Sequence, residues 1–153
     1  MKPKTKRKRI VIIDDHLLLR QGLERLLDLT DEFLVCGQAG TAVTGLAVVR
    51  QTRPDAVIVD ISLPDTDGIE LTKQIVGEFP KLPVLILSMH DEDECGALAR
   101  QAGAMGYILK SEAIDRLHRA LSDALEGRCT FSPALLNKDK ESRKPNADAV
   151  RPK

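Results

Sequence analysis

Short apolar blocks punctuate this chain, and four of them run directly into a polar side chain. Ile10 to Ile13 leads into Asp14-Asp15, Ala56 to Val59 into Asp60, Val84 to Leu87 into Ser88, and Tyr107 to Leu109 into Lys110. Blocks this short and this rich in β-branched residues read as buried strands rather than helices. Phe33 to Cys36 gives one more strand, with Gly37 to Gly40 as its exit. Between the blocks the apolar positions change to helical spacing. His16 to Leu29 carries Leu19, Leu23, Leu26 and Leu27, and Val43, Leu46 and Ala47 open a second helix that reaches about Arg50. Ile69, Leu71, Ile75, Val76 and Phe79 mark a third. Pro54 and Pro80 end the second and third helices, since proline cannot continue the backbone hydrogen bonding. Asp91 to Gln101 starts with carboxylates that complement a helix dipole. Ser111 is the expected N-cap of the last helix, whose stripe is Ile114, Leu117, Leu121 and Leu125 and whose end is Gly127.

Five strands alternating with five helices predict an α/β fold: a five-stranded parallel sheet with helices on both faces. In such sheets ligands bind outside the carboxyl ends of the strands, so Asp14, Asp15, Asp60, Ser88 and Lys110 are expected to converge. No internal repeat suggests a solenoid. The expected organisation is a basic N-terminal tail over 1–8, a folded domain over 9–136 and a charged tail over 137–153. Lys138 to Asn146 contains no large apolar side chain, so that tail is expected to be disordered.

Charge adds little to this picture, because 23 basic and 23 acidic residues cancel across the 153-residue chain. Only the run of six cations between Lys2 and Arg9 is locally biased, and it reads as a solvated terminus. Cys36, Cys95 and Cys129 lack metal-ligand spacing, and reduced, structural thiols fit them best. Neither a signal peptide nor a membrane span fits the N-terminus, so the expected location is the cytoplasm.

Two adjacent carboxylates opposite a third repel one another; at about 4 Å and an effective dielectric of about 20, each like-charge pair costs roughly 4 kcal/mol. A divalent cation relieves that repulsion, and oxygen-only ligands favour Mg²⁺, held by Asp14, Asp15, Asp60 and the backbone carbonyl of Ser62. The free oxygen of Asp60 is then a candidate nucleophile toward phosphorus. Lys110 would neutralise phosphoryl charge and Ser88 would donate a hydrogen bond. Taken singly, each of these residues has an ordinary role as a turn, a cap or solvated surface, and Tyr107 reads as partly buried against the sheet edge. Their joint appearance at four strand ends is what points to a site.

These residues, with the segments VIIDDH, LPDTDG, LSMHDED and GAMGYILK and the stretch through FSPALL, resemble a response-regulator receiver domain. The similarity runs from about Arg9 to Leu136 and is to the receivers of NarL/FixJ (LuxR-type) two-component regulators. It implies the flavodoxin-like (βα)5 fold with strand order 2-1-3-4-5, an order for which receivers are a standard example. It implies phosphotransfer from a sensor histidine kinase to Asp60. Lys110 contacts the phosphoryl group, and Ser88 and Tyr107 serve as switch residues. Asp15 binds Mg²⁺ directly and Asp14 through water. It also implies homodimerisation on phosphorylation, and a phosphoacceptor that dephosphorylates slowly rather than a turnover enzyme.

Family members of this type continue into a helix-turn-helix, for which no apolar periodicity follows Leu136. The expectation is a receiver acting by protein contact, with no sequence-specific DNA binding by this chain alone. Its rival is the N-terminal part of a DNA-binding regulator. An aspartyl-nucleophile phosphatase of the haloacid-dehalogenase type is a weaker rival: its Asp-x-Asp motif would need a carboxylate where Ser62 stands.

Overall fold

The computed structural model describes residues 6–89 and 92–131, apart from the side chains of residues 92–94. Eleven elements follow one another: β1 (Lys8–Ile13), α1 (Leu17–Asp28), β2 (Phe33–Ala39), α2 (Ala42–Thr52), β3 (Ala56–Asp60), α3 (Gly68–Glu78), β4 (Val84–Ser88), α4 (Glu92–Gln101), β5 (Gly106–Leu109), a 3-10 turn (Lys110–Glu112) and α5 (Ala113–Leu125). The strands pair in parallel in the order β2-β1-β3-β4-β5, as the resemblance implies. The expected start of the fourth helix at Asp91 and the charged tail over 137–153 lie outside the described residues.

Because successive strand residues face opposite sides, the apolar blocks feed two cores. Val11, Ile13, Val57, Val59, Val84 and Ile86 face one layer, where Val49 of α2, Leu71 and Ile75 of α3 and Ala99 of α4 cover them. Ile10, Ile12, Ile58, Leu85, Leu87 and Ile108 face the other, under Leu23 and Leu27 of α1 and Leu117 and Leu121 of α5. A strand buried on both sides needs a continuous apolar run, which is why β1, β3 and β4 read as blocks without alternation. All five residues of β3 are buried, Asp60 among them.

Several boundaries differ from the predicted ones. β1 begins at Lys8, whose N–H donates to the Glu32 carbonyl at 2.8 Å, so the basic run is partly drawn into the sheet. Arg9 has structural work: its N–H donates to Asp55 at 2.7 Å, and its guanidinium donates to the carbonyls of Thr52 and Arg53 at the end of α2. Those carbonyls belong to the last turn, where no intrahelical donor reaches them. β2 continues through Gly37 and Gln38 to Ala39, past a register shift opposite Ile10 and Val11.

Two helical faces are corrected. In α2, Val43 is 74% exposed and Ala47 is also exposed, while Ala42, Gly45 and Val49 are buried. Gly45 sets that phase, because a Cβ there would stand 2.6 Å from Cδ1 of Ile13; only the glycine face can approach the sheet so closely. In α5, Ser111 is not the N-cap. It sits inside the 3-10 turn, and Glu112 occupies the cap position without a side-chain hydrogen bond. Ile114 is 78% exposed, and the buried stripe comprises Ala113, Leu117, Ala120, Leu121 and Ala124.

After α5, closed at Gly127 with φ +84°, the chain returns to the outer side of β5. Thr130 bridges Gly106, the Tyr107 N–H donates to the Thr130 carbonyl at 3.0 Å, and the Thr130 N–H donates to the Met105 carbonyl at 2.7 Å. Phe131 is buried there, with the Arg100 guanidinium 5.5 Å from its ring centre. The three cysteines are free thiols; Cys36 and Cys95 pack against the core under α2, α3 and α4. Among the described residues no helix is long and apolar enough to cross a membrane.

Candidate functional site

The carboxyl ends of the strands bring the expected residues together. Asp14 and Asp60 close β1 and β3 at 1% exposure each, whereas Asp15 is exposed at the start of the following loop. Lys110, the first residue after β5, sends its ammonium to within 3.0 Å of Asp14 Oδ2 and 3.1 Å of Asp60 Oδ2. Its side chain is only 7% exposed, so all three charges are held largely away from water. Burial pushes the Asp60 carboxyl above its ordinary range, and the Asp14 charge adds to that; the Ser62 N–H and the Lys110 ammonium act in the opposite direction.

The loop between β3 and α3 is shaped around Asp60. The Ser62 N–H donates to Asp60 Oδ1 at 3.1 Å. Farther along, the Gly68 N–H donates to the Ile61 carbonyl at 2.7 Å, Ser62 bridges Asp67, and the Asp67 carboxylate caps α3 by accepting from the Glu70 N–H at 2.7 Å. Closing so tight a loop brings Gly68 against the strand end: a Cβ on it would lie 2.3 Å from the Asp60 carbonyl oxygen. The LPDTDG segment therefore places one residue that must be glycine and two turn-forming carboxylates beside the buried one.

Ser88 ends β4 fully buried, paired in register with Leu109 beside Lys110. Tyr107 is 1% exposed, deeper than the partial burial expected of it, because Phe131 and Thr130 cover the edge of β5.

Two further residues reach the site. His16 Nδ1 lies 3.0 Å from Asp14 Oδ1, 3.2 Å from Asp15 Oδ1 and 3.3 Å from Lys110 Nζ, and the His16 backbone N–H donates to Asp14 Oδ1 at 2.8 Å. The Arg20 guanidinium donates to the Asp14 carbonyl. The position of His16 directly after the acid pair was the available signal for it; Arg20 offered none beyond its place on the polar side of α1.

The donor set can hold a divalent cation. Ligand atoms of Asp14, Asp15, His16 and Asp60 all lie within 4.8 Å of one another. Asp14 Oδ2 and Asp60 Oδ2 are buried without a hydrogen-bond partner, although both are at ion-pair distance from Lys110. Buried anionic oxygens left in that state favour a cation that can complete their coordination.

Comparison with known proteins agrees with this geometry. Residues 10–122 match the response regulator receiver domain family. The chain is 34% identical over 128 residues to the transcriptional regulatory protein DegU of Brevibacillus brevis, covering 84% of this chain and 54% of that protein. It is 38% identical over 120 residues to the DNA-binding transcriptional activator DevR/DosR of Mycobacterium tuberculosis, covering 78% and 55%. It thus spans about half the length of these curated relatives. Among solved structures, a LuxR-family two-component response regulator from Aurantimonas sp. SI85-9A1 superposes with a TM-score of 0.81 at 33% identity, covering 90% of this chain and 99% of that one. With its sheet order, its acidic pocket and these matches in accord, the chain belongs to the response regulator receiver domain family.

Proposed function

We propose that this receiver accepts a phosphoryl group on Asp60 from the phosphohistidine of a sensor kinase and changes conformation in response. The observation that carries this reading is the state of Asp60: a buried carboxylate at the end of the central strand, with the Lys110 ammonium 3.1 Å from its Oδ2. In the reaction, an Asp60 oxygen attacks phosphorus and forms an acyl phosphate. The phosphorus–nitrogen bond of the donor breaks, and the departing imidazole nitrogen keeps the electron pair and takes up a proton. Lys110 neutralises charge on the transferred group, and Ser88 supplies a hydroxyl donor to one of its oxygens.

Asp14, Asp15, Asp60 and the Ser62 carbonyl are the residues that would hold Mg²⁺, with Asp15 contributing more than Asp14. When bound, the ion supplies charge neutralisation for the phosphoryl oxygens. Ser62 stands where a phosphatase of the aspartyl-nucleophile type would carry its acid-base group. The phosphorylated form is therefore expected to persist as a signal, not to turn over substrate. Because DegU and DevR/DosR are named as transcriptional regulators, control of transcription is the output class we propose, with the receiver acting through protein contacts that phosphorylation alters.

Incubation with acetyl phosphate and Mg²⁺, followed by intact-mass measurement, tests the central step. One added phosphoryl group is expected, lost on omitting Mg²⁺ and absent in Asp60→Asn. Label that persists in Asp60→Asn at the wild-type rate, mapped to another residue, overturns the assignment.

A further inference from the structure

The hydrogen bonds at the start of α2 give the β3–α3 loop a second anchor. A helix begins with backbone N–H groups that no residue of the helix can accept, and here each of the first three has a partner. The Thr44 N–H donates to the Thr41 side chain at 3.1 Å, an ordinary N-cap. The other two come from a distant residue: the Ala42 N–H donates to Asp65 Oδ1 at 2.8 Å and the Val43 N–H to Asp65 Oδ2 at 3.0 Å. Both oxygens of one carboxylate, 22 residues or more along the chain, thus close the N-terminus of α2. The same contacts hold the Asp65 carboxyl below its ordinary range.

Asp65 is exposed and touches neither Asp60 nor Lys110 in any hydrogen bond or ion pair among the described residues. Its importance lies in what it carries. The loop from Ile61 to Asp67 is fastened at its base by the Gly68-to-Ile61 hydrogen bond and the Ser62–Asp67 bridge. Asp65 sits at its tip, and a loop pinned at base and tip has little freedom to move Ser62. The Ser62 N–H orients the Asp60 carboxylate, and the Ser62 carbonyl belongs to the cation set described above.

We propose that Asp65 is a positioning residue for the phosphorylation site: its clasp on α2 fixes the β3–α3 loop and, through Ser62, the orientation of Asp60 and of the cation ligands. The metal part of this inference rests on the proposed function; the ordering of the loop does not.

The test compares Asp65→Ala, Asp65→Asn and Thr41→Ala with the wild-type chain. Thr41→Ala removes a cap from the same helix without touching the loop, so it reports what a merely structural loss at α2 does. Hydrogen exchange is read at the Ala42, Val43 and Ser62 amides, and Mg²⁺ affinity by calorimetric titration. In Asp65→Ala, exchange is expected to rise at Ser62 as well as at Ala42 and Val43. Its Mg²⁺ affinity is expected to fall about tenfold, the lower end of what loss of a ligand-orienting group costs. Asp65→Asn keeps one acceptor oxygen and is expected to recover part of both, whereas Thr41→Ala leaves Ser62 exchange and Mg²⁺ affinity at wild-type values. If Asp65→Ala raises exchange at Ala42 and Val43 but not at Ser62, Asp65 is only a helix cap and the proposal falls. It falls equally if Thr41→Ala reproduces the Asp65→Ala changes. Wild-type protein that binds no Mg²⁺ refutes the metal reading, and the Ser62 exchange then decides the positioning role by itself.

Discussion

Lys110 Nζ stands 3.1 Å from Asp60 Oδ2, a buried ion pair formed by residues fifty positions apart in sequence and two strands apart in the sheet. The same ammonium faces Asp14, so one cation answers two buried anions. Removing it leaves both carboxylates uncompensated. Lys110→Ala is expected to destabilise the cation-free protein by about 3 kcal/mol, as loss of one partner from a buried pair does. Adding Asp60→Asn should recover part of that loss, because it removes one of the two stranded charges. Urea unfolding of the two single variants and the double variant checks this; a double variant no more stable than Lys110→Ala would contradict it.

The titration of Asp60 sets a direction for pH dependence. Burial raises its carboxyl above the unfolded value, so between those two values the native state holds a proton that the unfolded chain has released. The stability contributed by this group is present in acid and is lost as pH rises through the carboxylate range to the native value. Asp60→Asn does not titrate. Without divalent cation it is expected to be more stable than wild type at about pH 7, because it carries no charge to be desolvated or to repel Asp14. The gap should shrink as pH falls toward about 4, where the unfolded carboxyl also protonates. Thermal melts across that range measure it, and a gap that widens in acid is the contrary result.

Gly68 has no room for a side chain, since the clash is with the backbone oxygen of Asp60 and not with the end of a flexible group. Gly68→Ala is expected to cost about 3 kcal/mol, the upper end for overpacking, and to slow acyl phosphate formation because the displaced strand end carries the proposed acceptor. An unchanged unfolding midpoint would show that the loop yields without strain.

Beryllofluoride with Mg²⁺, as a mimic of the phosphorylated state, is expected to alter amide exchange at Ser88 and Tyr107 as well as around Asp60. Ser88 would be drawn toward the phosphoryl position, and Tyr107, packed in the same core as Ile86, would repack behind it. Changes confined to residues 60–62 would separate the site from the switch.

Much of this arrangement is legible in the sequence because strand ends are marked twice, by the end of an apolar block and by the polar residue that follows. Asp14, Asp60, Ser88 and Lys110 could be placed together on that basis alone. What sequence periodicity could not resolve was phase within a helix. Val43 and Ile114 satisfy the apolar spacing of their helices yet lie exposed: Gly45 determines which side of α2 meets the sheet, and a 3-10 turn inserts before α5. Long-range partners were equally hidden. Nothing near Asp65 indicates that its carboxylate ends on the amides of Ala42 and Val43, and Arg9 looks like part of a solvated basic run until the end of α2 is placed beside it.

The return of Thr130 along the outer side of β5 bears on how such molecules can associate. An uncovered outer strand is a template for backbone pairing with another chain, the first step of sheet extension and aggregation. Among the described residues Gly106 is already bridged and the Tyr107 N–H already bonded within the same chain, which leaves the last two residues of a four-residue strand. Two residues are too few to seed an intermolecular ladder. Backbone pairing along that flank is thereby curtailed, and an association there that relied on side chains instead would not propagate as a ladder from one copy to the next.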